Sequence, residues 1–105
     1  MLGLIFCCGL ATNLAANETA RIKITHSPQP SGTQASLRGL CVVDSDAVWA
    51  SGSDGVVLRT TDGGENWKEV SVANAREFDF RDVQAFDAHT AVVLSAGSPA
   101  VIYRT

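Results

Sequence analysis

The chain repeats itself from residue 38 to its last residue, with a period of 43 to 45 residues. Three segments recur: Arg38–Asp44 as Arg81–Asp87, Val48–Gly52 as Val93–Gly97, and Val57–Thr60 as Ile102–Thr105. The offset is 43 residues for the first pair and 45 for the other two, which places two extra residues in the turn around His89 and Thr90. A unit of this size stacks on its neighbours because it cannot cover its own apolar faces.

Short apolar segments separated by turn residues predict β-strands in both repeats. The expected strands cover residues 39–43, 48–51, 56–60 and 67–72 in the first repeat, and 83–86, 91–95 and 101–104 in the second. Their residues are apolar throughout rather than alternating, so we expect sheets that are covered on both faces. The sequence therefore predicts an all-β fold of stacked sheets, the arrangement of blades in a β-propeller.

The segment Thr60–Trp67 (TTDGGENW) joins two predicted strands and matches the spacing Ser/Thr-x-Asp-x-Gly-x-x-Trp. Gly63 and Gly64 can take the positive φ that a tight turn needs. The Asp62 carboxylate can accept hydrogen bonds from the amides of the turn, and the Thr60 hydroxyl can tie back to the backbone. We expect the Trp67 ring to cover the turn and to fill the gap toward a neighbouring blade.

With this motif, residues 37–105 resemble the Asp-box β-propellers, also known as bacterial neuraminidase (BNR) repeats. Within that group they look like bacterial proteins similar to the photosystem II stability/assembly factor. The resemblance implies a propeller fragment with one full four-stranded blade, residues 37–78, and most of a second, residues 79–105. It also implies an exported, non-catalytic scaffold that binds a protein or glycan ligand, and a second Asp-box directly after Thr105.

Sialidases share the Asp-box, so the alternative is a secreted sialidase-like glycoside hydrolase whose active site would need further blades. The scaffold is favoured because the one tyrosine, Tyr103, falls on a third strand, away from the channel where a sialidase nucleophile would lie. The box is structural in the family. Thr60, Asp62, Gly63, Gly64 and Trp67 are therefore interpreted as structural residues, and no catalytic residue is assigned.

The N-terminal sequence predicts that the protein is exported. Residues 1–16 carry no charge and end in Ala15-Ala16, as in a signal peptide cut near Ala16 or Ala20, and they are too short to span a bilayer. We therefore expect a periplasmic or extracellular protein. In residues 17–36, Arg21–Thr25 alternates polar and apolar residues and predicts a strand that closes the last blade, and a loop with Pro28 and Pro30 follows.

Two arginines occupy the same repeat position, Arg38 and Arg81, just before the first strand of each blade. On the channel face of a propeller they would be candidate ligand-binding residues for a carboxylate or sulfate. The favoured alternative is an ion pair between blades, for instance with Asp44 or Asp82. The net charge of −3 comes from interspersed signs, which indicates no nucleic-acid partner. No Cys/His spacing indicates a metal, no cofactor is implied, and Cys41 is expected in the core.

Overall fold

The computed structural model describes residues 22–105, and the predicted signal peptide and Arg21 lie outside this range. The described residues form strands and turns without a helix, so the all-β prediction is confirmed for them. In chain order the strands are β1 (Leu37–Val42), β2 (Val48–Gly52), β3 (Val57–Thr60), β4 (Lys68–Glu69), β5 (Asp79–Ala85), β6 (Ala91–Ala96) and β7 (Ile102–Arg104). Within this range no helix is long and apolar enough to cross a membrane.

The strands form two antiparallel sheets in sequence order. The first sheet is β1-β2-β3-β4 and the second sheet is β5-β6-β7. The first turn of each sheet is closed in the same way, because Asp44 and Asp87 each accept two backbone amides of their own turn at 2.7–2.8 Å. A short acidic side chain in this role replaces the hydrogen bonds that a turn takes away from the backbone.

The fourth strand is shorter than the sequence predicts. The expectation was residues 67–72, but β4 contains only Lys68 and Glu69. One further backbone hydrogen bond joins the Val70 amide to the Val57 carbonyl at 2.8 Å. The Val57 amide then donates to the Ser71 hydroxyl at 2.9 Å instead of to a backbone carbonyl. This side-chain acceptor ends the ladder, because it satisfies the donor that a longer strand would have used.

The strand register corrects the position of the two extra residues in the second repeat. The β1–β2 and β5–β6 turns are closed by equivalent hydrogen bonds, from Val43 to Ala47 and from Phe86 to Thr90. Beyond them, Ser51 pairs with Val57, whereas its counterpart Leu94 pairs with Ile102, two residues farther along. The extra residues therefore lie in the β6–β7 turn, not around His89 and Thr90. The sequence match was displaced by two residues, and such a shift keeps each side chain on its own face of the strand.

The two sheets pack face to face through β1 and β2 on one side and β5 on the other. We call the side of the first sheet that faces the second its trailing face; it carries Cys41, Trp49, Ser51 and Val57. The second sheet meets it with the opposite side, its leading face, which carries Phe80, Val83, Ala85 and Val93. Apart from the polar Ser51, these residues belong to one buried core cluster. Ser51 Oγ donates to the Phe80 carbonyl at 3.2 Å, and Trp49 Nε1 donates to the Asp87 carbonyl at 3.1 Å.

This packing runs front to back. In the corrected register Val83 corresponds to Leu40 and Val93 to Ala50, and both of those first-sheet residues lie on the leading face, turned away from the second sheet. Each sheet thus has a leading and a trailing face, and the interface joins the trailing face of one to the leading face of the next. An interface between unlike faces is heterologous and can be repeated.

Residues 22–36 contain no strand. The strand predicted at 21–25 is not formed in its described part, where Ile22 and Ile24 are exposed. These residues do not pair with the edge of the first sheet at β1, and the strand was expected to complete the last blade rather than this sheet. The segment is joined to the first sheet at Ser36, whose carbonyl accepts from the Ser53 amide at 3.0 Å, and at Gln29, whose Oε1 accepts from Trp67 Nε1 at 3.4 Å. It does not form a fifth strand, so its closing role in a complete ring stays a prediction.

Candidate functional site

The turn between β3 and β4 is built around a buried hydroxyl. Thr60 ends β3 and is fully buried. Its Oγ1 donates to Asp62 Oδ1 at 2.7 Å and accepts from the Gly64 amide at 3.0 Å. The Gly64 amide lies inside the turn, so the hydroxyl supplies an acceptor that water does not reach. Gly63 and Gly64 have φ of 72° and 96°, a region that residues with a Cβ rarely adopt.

The Asp62 carboxylate holds the rest of the turn. Its Oδ1 accepts from the Asn66 backbone amide at 2.9 Å, and its Oδ2 accepts from Asn66 Nδ2 at 2.9 Å. The side-chain bond from Asn66, then its backbone bond and the Thr60 hydroxyl, lower the pKa of Asp62 from 3.8 to about 2. The carboxylate is exposed but ionised, and all of its partners belong to its own turn. Sequence reasoning missed Asn66, whose signal is an amide side chain four residues after the aspartate.

This turn is also joined to its neighbour. The Gly63 amide donates to the Asp46 carbonyl in the β1–β2 turn at 3.0 Å. A Cβ on Gly63 would lie 3.3 Å from the Ser45 carbonyl oxygen, which leaves little room for a side chain. The β3–β4 turn therefore fixes the same end of the sheet as the β1–β2 turn.

Trp67 lies on the leading face of the first sheet. Its ring is half-buried against Ala50, Val56 and Leu58, and its Nε1 donates to Gln29 Oε1 at 3.4 Å. A small apolar cavity of about 130 Å³ remains between Trp67, Leu40 and the Gln29–Ser31 segment. The ring thus points away from the second sheet, and any blade that it contacts would have to cover the leading face.

The structure brings the two repeat-related arginines together on one carboxylate. Arg38 Nε donates to Asp79 Oδ1 at 2.9 Å, and Arg81 Nε donates to Asp79 Oδ2 at 2.8 Å. Both arginines sit at a β-bulge, where β1 and β5 each lose one residue of pairing. A bulge re-aims its side chain, which allows residues on two different sheets to converge. The hydrogen bond from Arg81, followed by the bond and charge of Arg38, lowers the pKa of Asp79.

The ion pair expected between the two repeats is formed by Arg38 and Asp79, but the example partners named from the sequence, Asp44 and Asp82, are wrong. Asp44 accepts amides of its own turn, and Asp82 accepts the Val83 amide at 2.9 Å. The actual partner, Asp79, begins β5 two residues before Arg81, and the bulge at Arg81 re-aims its side chain toward this carboxylate. The result is a cluster of two guanidiniums and one carboxylate with a net charge of +1, and both arginine side chains remain substantially exposed.

Other candidate groups are parts of the core. Tyr103 packs its ring against Phe78 and Phe80, with centroids 6.2 and 5.9 Å away. Cys41 is buried and its Sγ accepts from the Ala85 amide at 3.3 Å.

An open cleft of about 510 Å³ lies beside β4, lined by Asp54, Glu69, Arg76 and Glu77 among others. Among residues 22–105 no group of three or more His, Cys, Asp or Glu side chains is placed to hold a metal ion.

No family model, no curated protein and no solved structure matches the chain. The resemblance to Asp-box propellers therefore rests on the residues of the Thr60–Trp67 turn and on the repeat.

Proposed function

We propose that this chain is an exported, non-catalytic scaffold of the Asp-box β-propeller type, which binds a protein or glycan partner. The observation that carries the proposal is the front-to-back stacking of two sheets with equivalent turns, strand registers and bulges. Stacking of this kind is how repeat proteins build an extended binding surface from small units. The proposal includes export of the protein and its likeness to photosystem II assembly factor-like proteins.

The hydrogen bonds of Asp62 support the non-catalytic part. A general acid has to hold a proton near neutral pH, and a pKa of about 2 leaves Asp62 ionised there. Its acceptor positions are also directed at Thr60 and Asn66 rather than toward a substrate. A sialidase-like reaction would need an acid and a tyrosine nucleophile, and Tyr103 is packed in an aromatic cluster.

Substitution of Asp62 tests this assignment. Asp62→Ala removes the acceptor for Asn66 and should lower the melting temperature. Asp62→Asn should be milder because its carbonyl can still accept from Thr60 and the Asn66 amide. A depressed carboxylate pKa adds stability that is full above pH 3.8 and is lost as the pH falls through about 2, so the deficit of both variants should shrink across that window.

Asp46→Ala is the matched control, since this exposed aspartate lies in the adjoining turn and its side chain makes no hydrogen bond. It should melt close to the unsubstituted chain. Hydrolysis of a chromogenic sialoside is measured on the same preparations. Unchanged melting of Asp62→Ala, or sialoside hydrolysis that Asp62→Asn abolishes while the fold survives, would reject the structural role.

The paired arginines are the proposed contact point for an acidic group of the partner. Asp79 holds both guanidiniums by their Nε atoms and so orients them beside each other. Planar guanidiniums bind carboxylate and sulfate through paired N–H donors. Titration with sodium sulfate or N-acetylneuraminic acid should shift the amide resonances of Asp79–Arg81 saturably. The shift should vanish in Arg38→Ala/Arg81→Ala and persist in the control Arg76→Ala; a shift that survives the double substitution would exclude this site.

A further inference from the structure

The leading face of the first sheet is open along β1. Its apolar residues Leu37, Leu40 and Val42 are 46%, 66% and 43% exposed. The equivalent residues of the second sheet are buried against the first sheet: Phe80, Val83 and Ala85 are 0%, 3% and 8% exposed. The segment that contains Gln29 and Ser31 shares a small cavity with Leu37, Leu40 and Trp67, but it leaves these β1 side chains largely exposed.

The trailing face of the second sheet is open as well. Ile102, Leu94 and Phe86 are 68%, 41% and 59% exposed. Their counterparts in the first sheet are Val57, Ser51 and Val43. The first two are 1% and 0% exposed, and Val43 packs against the core shared with the second sheet. Residues 22–105 thus leave two unlike apolar faces uncovered, and each has the strand positions of a face that is already paired between the two sheets.

Charged residues at one edge of the two open faces are complementary in the same front-to-back arrangement. In the internal interface Arg59 lies over the Trp49 ring and donates from Nη1 to the Ala88 carbonyl at 3.0 Å. The equivalent arginine on the open trailing face is Arg104, and the equivalent of Ala88 on the open leading side is Ser45. Ser45 lies between Asp44 and Asp46, so an arginine that approaches its carbonyl enters an acidic turn.

We propose that the trailing face of one copy of this chain packs on the leading face of a second copy, in the front-to-back manner of the two sheets within each copy. The inference rests on the stacking in the proposed function but not on a ligand or on export. Because the interface is heterologous, association can continue beyond two copies. It is weaker than the internal interface, since Asp82 stands where Gly39 allows the closest approach between the sheets.

Substitution of one exposed residue on each face should prevent that face from packing. Leu40→Glu places a charge on the leading face, and Ile102→Lys places one on the trailing face. Sedimentation velocity of the unsubstituted chain should show a mean mass that rises with concentration past the dimer. Each variant alone should stay monomeric over the same range. An equal mixture of the two should form a dimer and stop there, because the variants share one intact pair of faces and both outer faces are disabled.

Ile24→Glu is the matched control, since Ile24 is equally exposed but lies outside both faces, and it should associate as the unsubstituted chain does. Circular dichroism of every variant checks that the sheets are intact. Three outcomes overturn the inference: a monomeric unsubstituted chain up to about 1 mM, which is the limit of weak binding; dimers of Leu40→Glu or Ile102→Lys alone; or no dimer in the mixture. Association through residues 1–21 would persist in both variants. The Asp62 melting experiment does not depend on any of these results.

Discussion

At the scale of single residues, the Thr60 hydroxyl is the group on which the β3–β4 turn depends most. It is buried, donates to Asp62 and accepts from the Gly64 amide. The valine side chain has nearly the same shape without the hydroxyl, so Thr60→Val leaves that amide unsatisfied. Loss of one partner of a buried hydrogen bond costs about 1–3 kcal/mol.

Chemical denaturation should therefore show Thr60→Val less stable by about 1–3 kcal/mol, with an unchanged dependence on denaturant. Thr60→Ser keeps the hydroxyl and should recover most of the loss. If Thr60→Val were as stable as the unsubstituted chain and Thr60→Ser were destabilised, methyl packing rather than the hydrogen bonds would be the cause.

Single residues also show which contacts could be predicted from the sequence and which could not. The spacing of Thr60, Asp62 and Trp67 was enough to place a tight turn, because the residue types and the turn geometry are linked locally. Asp79 was not found as the partner of Arg38, since that contact joins two sheets and depends on two bulges that re-aim the arginines. Bulges are set by packing between strands, and the residue types around Arg38 and Arg81 do not indicate them.

At the scale of strands, β1 and β5 meet at one close point. A Cβ on Gly39 would lie 2.7 Å from Ser51 Oγ, 3.1 Å from the Asp82 Cα and 3.2 Å from the Val83 amide nitrogen. Two of these neighbours are backbone atoms and cannot rotate away. The absence of a side chain at Gly39 thus lets the trailing face of the first sheet reach the second sheet.

Gly39→Ala should therefore force the sheets apart and lower stability by about 1–3 kcal/mol, the usual cost of overpacking a core. The equivalent residue of the second repeat is Asp82, which is exposed, and Asp82→Asn, which keeps an oxygen acceptor for the Val83 amide, is the control with little expected change. Thermal melting of both variants checks this. Equal melting temperatures for the two would mean that β1 and β5 are not in close contact.

The strands also show why the repeat could be recognised and why one segment of its alignment was displaced. The apolar segments predicted the strands of both sheets to within a few residues, except the last strand of the first sheet. The displaced match between Val48–Gly52 and Val93–Gly97 arose because a shift of two residues preserves the face of every side chain. The pairing of β6 with β7, for example of Leu94 with Ile102, shows that the longer turn follows β6.

At the scale of the whole molecule, each sheet is stable through its neighbour. Trp49 and Val57 are the large side chains of the trailing face of the first sheet, and they are 1% exposed each because the second sheet covers them. A chain truncated after the first sheet would still contain all four of its strands, so the partners of their backbone hydrogen bonds would be present. The apolar burial would not, and burial is the dominant favourable term in folding.

A chain that ends after residue 78 should therefore fail to fold cooperatively, although it contains the complete first sheet and its turn. We expect no sigmoidal thermal transition in circular dichroism. In a Trp67→Phe background, where Trp49 is the remaining tryptophan, the emission should shift to the red because water reaches the ring. The same background in the intact chain is the control, and it should melt cooperatively with blue-shifted emission. A truncated chain with a cooperative transition and a blue-shifted Trp49 would show that one sheet suffices, and that the stacking does not hold this fold together.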